Sequence, residues 1–233
     1  MGSTRLPGKV LLDLGGGTVL GRVVRRMHRA RLVNEIVVAT TTSAADDDIV
    51  RECRRLGVRW FRGSETDVLD RYFRAVTEYA IDVVVRITAD CPVIDPGIVD
   101  ETIQMFLDKK ADYASNGLRS TYPRGLDTEV FSSMALAKAW REAGEAHQRE
   151  HVTPYFYEHP ELFCIASLEN KTNESHHRWT LDTYDDLRLL RQIYFHFSGE
   201  DDFGWQEVLQ FMQREPHLAE LNSHVAQKAL YAD

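Results

Sequence analysis

Eight residues near the start of the chain, Gly2-Ser3-Thr4-Arg5-Leu6-Pro7-Gly8-Lys9, bring two glycines, two hydroxyls and two cations into one short stretch. Such a loop can turn backbone N–H groups and two positive side chains toward a polyphosphate. It is not a P-loop, because Gly2 to Gly8 is one residue too long and Val10 stands where a magnesium-binding hydroxyl is required. Composition alone leaves the stretch open between a phosphate site and a surface turn. Gly15-Gly16-Gly17 fails the dinucleotide fingerprint, since Leu20 takes the third glycine position, and reads as a turn before a helix starting near Thr18. By residue type alone, Asp90 before Cys91-Pro92 is a turn residue, and Asp182 before Asp185-Asp186 is a helix cap. Asp46-Asp47-Asp48 fits a D-x-D pattern but reads as the first turn of a helix, where carboxylates complement the dipole. His176 and His177, adjacent on what reads as an extended segment, should point to opposite faces and share no metal. Cys53, Cys91 and Cys164 lack paired spacing and read as structural residues, not as a disulfide framework or zinc knuckle.

The elements that must hold these residues alternate. A β-branched strand over 35–40 is followed by a helix over 44–56, a strand over 58–61, a helix over 67–80, a strand over 82–87 and a helix over 96–109. Strands and helices at this spacing imply a parallel sheet covered on both faces, with ligands beyond the carboxyl ends of the strands. The period shifts toward two between Tyr113 and Phe131, as in an inserted β segment. Helices are expected over 133–142 and 149–158, and a strand over 163–168. The chain is then largely helical beyond Asp182, its end packing across the sheet or against another subunit.

A chain of 233 residues with 43 % apolar content can bury a full core as one domain. Its formal net charge of −8 argues against a general nucleic-acid binder. No apolar run approaches the ~20 residues of a membrane span, and no signal core opens the chain, so a cytoplasmic protein is expected.

The string Gly2 to Lys9 resembles the signature loop of sugar-activating cytidylyltransferases, the group containing CMP-Kdo synthetase and acylneuraminate cytidylyltransferase. It is most similar to the branch named for spore-coat polysaccharide biosynthesis. The likeness continues, in family order, through Arg86-Ile-Thr-Ala-Asp-Cys-Pro-Val-Ile-Asp95, Tyr122-Pro-Arg-Gly-Leu-Asp-Thr-Glu-Val-Phe131, Arg149-Glu-His-Val-Thr-Pro-Tyr155 and Arg178-Trp-Thr-Leu-Asp-Thr183. It implies a single α/β domain over 1–233 with a Rossmann-like nucleotide-diphospho-sugar transferase fold, mainly parallel, with helices on both faces and a small β insertion. It implies an enzyme that transfers CMP from CTP to an acidic sugar or related precursor for a cell-surface polysaccharide, releasing pyrophosphate. By the same resemblance Asp90 and Asp182 hold Mg2+, while Arg5 and Lys9 stabilise charge on the leaving group. Gly2, Ser3, Thr4, Arg5 and Lys9 bind the nucleotide phosphates, and Arg62, Ser64 and Asp67 read base and ribose. Arg124, Asp127, Glu129, Arg149, Glu150 and His151 receive the acceptor, with Arg124 or Arg149 forking a carboxylate. A homodimer without nucleic-acid or membrane partners is implied. A phosphorylated or phosphonate acceptor, a non-catalytic nucleotide-binding subunit and a glycosyltransferase are the competing readings. Relatives carry an apolar strand ending in Gln-Ala-Arg ahead of the loop, in the middle of the sheet. The sequence opens inside the motif, so a sheet lacking that strand, less stable than an upstream-extended form, is expected.

Overall fold

The computed structural model describes residues 1–227. A 3-10 turn at Lys9–Leu11 precedes α1 (Val19–Met27), β1 (Val37–Thr41), α2 (Asp47–Leu56), β2 (Arg59–Gly63), α3 (Val68–Glu78), β3 (Val83–Arg86) and α4 (Pro96–Lys109). Then come β4 (Tyr113–Ser115), β5 (Glu129–Ser132), α5 (Ser133–Glu142), α6 (Ala146–His151), α7 (Pro154–Glu158) and β6 (Ile165–Ser167). The last helices are α8 (Tyr184–His196), α9 (Trp205–Arg214) and α10 (His217–Glu220). Among the described residues no helix is long and apolar enough to cross a membrane.

Local chemistry sets the boundaries. Thr18 accepts the Gly21 N–H at 2.9 Å and opens α1 just after the turn through Gly15 and Gly16, both at positive φ. Asp67 caps α3 by accepting from the Asp70 N–H at 2.9 Å, and Asp95 caps α4 through Gly97 and Ile98 at 2.8 and 3.1 Å. Asp47 and Asp48 lie in the first turn of α2, where carboxylates complement the dipole, whereas Asp46 sits just ahead of it, buried and accepting from the Thr40 hydroxyl at 2.8 Å and the Thr41 N–H at 3.0 Å. The single helix expected over 149–158 is instead two, α6 and α7. Val152 takes a φ of 75°, and Pro154, with no N–H to donate, restarts the helix in a first turn.

β1 and β2 pair in parallel, from Val37 opposite Arg59 to Thr41 opposite Gly63. A second ladder runs β3-β5-β4-β6, with β4 parallel to β6 and β5 antiparallel to both its neighbours. The inserted β segment is therefore β4 and β5 with a long loop between, β5 lying between β3 and β4. β1 and β3 belong to different ladders, so each has one edge unpaired among the described strands.

One apolar cluster joins Leu6 and Leu14 of the N-terminal segment to Trp179, Leu181, Leu187, Ile193 and Tyr194, so the C-terminal helices pack onto their own domain. A second gathers Leu69, Tyr113, Phe131, Leu136 and Phe156, and a third packs α1 and α4 on the sheet through Met27, Val99, Phe106, Ala114 and Val130. Cys53 and Cys91 are buried, whereas Cys164, just ahead of the short strand β6, is exposed.

Candidate active site

The Gly2–Lys9 stretch is anchored, not a free surface turn. Leu6 is 1 % exposed and packs in the cluster of Trp179 and Leu181. Burying a leucine stabilises the loop by roughly 1.5–3 kcal/mol. Ser3 Oγ accepts the Leu6 N–H at 3.3 Å, and a side chain at Gly2 would meet Glu65 Oε1 at 3.2 Å, which sets this loop beside the one after β2. Gly8 sits at a φ of 70°, a conformation that favours glycine, and turns the following residue inward. Arg5 and Thr4 remain exposed.

The inward residue is Lys9. Its Nζ donates to Asp90 Oδ2 at 2.6 Å, to Asp182 Oδ1 at 2.8 Å and to the Leu181 carbonyl at 2.7 Å. Two carboxylates 92 positions apart in number thus meet on one ammonium. The backbone makes this meeting. Asp90 lies in the turn after β3, and its carbonyl accepts the Leu181 N–H at 2.8 Å, tying the two aspartate segments side by side. Arg5 Nη2 lies 3.0 Å from the other oxygen of Asp182.

Sequence reasoning missed the residues that hold Asp182 in place. Arg178 donates to Asp182 Oδ2 at 2.6 Å and through Nε to Asp186 Oδ1 at 2.9 Å. Asp186 is fully buried, and its Oδ2 accepts the N–H groups of Asp182 and Thr183, both at 2.9 Å. The signal was the i, i+4, i+8 spacing of Arg178, Asp182 and Asp186 across a helix start, where a capping box forms with Thr183.

The remaining expected residues divide. Arg62 donates to the carbonyls of Thr41 and Ser43 and to Asp47, and so staples the β1–α2 connection. Ser64 Oγ accepts the Asp67 N–H at 3.0 Å. Asp67 Oδ2 receives a fork from Arg149, at 3.0 Å from Nε and 2.5 Å from Nη2, so the residue expected to clamp an acceptor carboxylate already clamps an internal one. Both Glu129 oxygens also have internal donors, Arg86 and the Tyr113 hydroxyl. Glu150 is exposed and His151 lies at the end of α6. Arg124 belongs to the loop that bridges to Arg178, its N–H donating to the His177 carbonyl at 2.9 Å. Gly125, at a φ of 103°, lies so close that a Cβ would be 2.7 Å from the Trp179 carbonyl carbon. Asp127 Oδ2 accepts the Gly125 N–H at 2.9 Å, holding that turn.

His176 and His177 do not diverge as expected. Their rings lie 4.1 Å apart, because the His177 N–H donates to the Glu174 carbonyl at 3.1 Å and closes a turn where an extended segment was read.

Residues 1–221 match the family profile described as cytidylyltransferase. An uncharacterised protein of Methanocaldococcus jannaschii is 40 % identical over 230 residues, covering 98 % of this chain and 93 % of its own. The spore coat polysaccharide biosynthesis protein SpsF of Bacillus subtilis is 34 % identical over 230 residues, covering 94 % and 93 %. A solved cytidylyltransferase from Leptospira borgpetersenii superposes with a TM-score of 0.91 at 32 % identity, over 98 % of this chain and 94 % of that one. The α/β frame is therefore that of a nucleotidyltransferase, and the chain belongs to the cytidylyltransferase family.

Proposed function

We propose that this enzyme moves CMP from CTP onto an acidic sugar or a related precursor of a cell-surface polysaccharide, with magnesium held by Asp90 and Asp182. The observation that carries the reading is the Lys9 ammonium seated between both carboxylates at 2.6 and 2.8 Å. A cation already stands where they converge. The donor set is all oxygen, which suits magnesium, a hard ion held by one or two carboxylates together with phosphate oxygens. When bound, the ion neutralises charge at the α-phosphate. The chain's own residues do the rest. With the carboxylates engaged elsewhere, Lys9 turns its ammonium to the incoming phosphates beside Arg5, whose side chain is 36 % exposed. The two cations offset charge on the departing pyrophosphate as the acceptor oxygen bonds to the α-phosphorus and the bond to the bridging oxygen of the β-phosphate breaks. No nucleophilic side chain is needed.

Arg124 supports an acidic acceptor. The residue is half-buried, its guanidinium has no hydrogen-bond or ion-pair partner among the described residues, and its loop is bridged to the segment leading to Asp182. A planar fork of donors left over beside a reaction centre suits a carboxylate. The name of the Bacillus relative places that protein in spore-coat polysaccharide biosynthesis.

Pyrophosphate release with CTP and Mg2+ tests the proposal against panels of acidic, neutral and phosphorylated acceptors. Acidic sugars are expected to turn over, with the rate falling roughly 10²–10³-fold in Asp90→Asn and Asp182→Asn. Preference for a phosphorylated acceptor would overturn the substrate class, and unchanged rates in both variants would remove the aspartates from the chemistry. Arg124→Lys is expected to raise the acceptor KM by about tenfold while sparing the KM for CTP.

A further inference from the structure

We propose that Glu174, His176 and His177 form a second cation site, selective for a borderline divalent metal of the zinc class and separate from the aspartate pair. One carboxylate oxygen and one nitrogen from each ring lie within 4.8 Å of one another. Glu174 Oε2 and His177 Nε2 are 3.9 Å apart, too far for a hydrogen bond. Two ligands of a tetrahedral zinc stand about 3.4 Å apart, given bonds of roughly 2.1 Å, so a small inward shift of side chains suffices.

The backbone holds the three donors ready. Asn173 Oδ1 accepts from the Ser175 N–H at 3.0 Å and from its hydroxyl at 2.7 Å, and the His177 N–H closes the turn on Glu174. The Glu174 N–H donates to the Thr121 carbonyl at 2.9 Å, fixing the turn to the β4–β5 connection. His177 is half-buried and stacks on Trp179 at 5.7 Å, whereas His176 is exposed, which leaves the outer side of the site open to water as a fourth ligand. Two imidazoles and one carboxylate select zinc, cobalt, nickel or copper over magnesium. The site would also brace the acceptor loop, because the His177 carbonyl receives the Arg124 N–H.

The test is calorimetric titration of the full-length protein with Zn2+ in excess Mg2+, with Co2+ absorption as the spectroscopic probe. One Zn2+ per chain and the visible bands of tetrahedral, imidazole-bound Co2+ are expected. His176→Ala removes an exposed side chain, so its fold is checked by melting; it should weaken Zn2+ binding by at least roughly tenfold, as should Glu174→Gln. Asp90→Asn should leave the Zn2+ isotherm unchanged. The proposal fails if no Zn2+ binds under excess Mg2+, if His176→Ala titrates like the parent, or if Asp90→Asn abolishes binding. None of these results bears on cytidylyl transfer, so the two readings fail independently.

Discussion

Lys9 and Asp182 are coupled charges in a largely buried place, and their coupling should be visible in pH dependence. Burial lowers the Lys9 pKa, but the charge of Asp90 and the hydrogen bonds to Asp182 and Asp90 outweigh it and hold the ammonium above the ordinary lysine value. Burial raises Asp182, yet Lys9, Arg178 and Arg5 outweigh that and hold the carboxyl below the usual range. The stabilisation from Asp182 is present above its unfolded value near ~4 and is lost as pH falls through the lower folded value. That from Lys9 is whole below about 10.5 and is lost only as pH rises past its raised folded value. Urea midpoints should therefore drop most steeply below about pH 4, and Asp182→Asn should flatten that limb. Arg178→Met would leave the fully buried Asp186 without its cation. Urea denaturation should show a loss of about 3–5 kcal/mol, with turnover lost as Asp182 is freed.

At the scale of elements, the site depends on three junctions. The capping box at Thr183 starts α8 and fixes the backbone next to Asp182, through the Asp186 N–H bond to Thr183 Oγ1 at 3.3 Å and the return bonds from Asp186. Thr183→Ala should cost about 1 kcal/mol in thermal or urea unfolding, and should lower kcat more than the KM for CTP. The Gly125 turn presses the Arg124 loop against Trp179 and Thr180, and any side chain there meets backbone atoms that cannot yield cheaply. Gly125→Ala should destabilise by roughly 1–3 kcal/mol from the strained φ alone, and should move the segment that carries Asp182. The third junction, the backbone bond from Leu181 to Asp90, pairs the carboxylates and leaves no trace in local sequence.

At the scale of the molecule the sheet is divided among the described residues, with β1 and β2 in one ladder and four strands in the other. A two-stranded ladder alone is marginal, so β1 and β2 rely on the helices packed against them, among them α2 and α3. Native-state hydrogen exchange should find the amides of β1 and β2 opening at lower free energy than those of β4 and β5, which sit in the four-stranded ladder over buried Tyr113 and Phe131. Equal protection in both ladders would mean that they open as one unit.

Local chemistry was enough to place most elements, while the loop that carries Lys9 stood out only through its resemblance to the family's signature string. α4 has the expected bounds, its start defined by Asp95 and Pro96, whereas its end is set by Lys110, which takes a left-handed φ of 48°. The α6–α7 break was also written in the sequence, at Pro154, though it was read as one helix. What only the tertiary structure decided were partners from distant segments: Lys9 as the ammonium shared by Asp90 and Asp182, and Asp67 as the partner of Arg149. It also decided the turn that sets His176 beside His177. Residue type and spacing state what a side chain can donate or accept. Which partner satisfies it is settled when burial makes an unpaired charge costly and the backbone brings one candidate within reach.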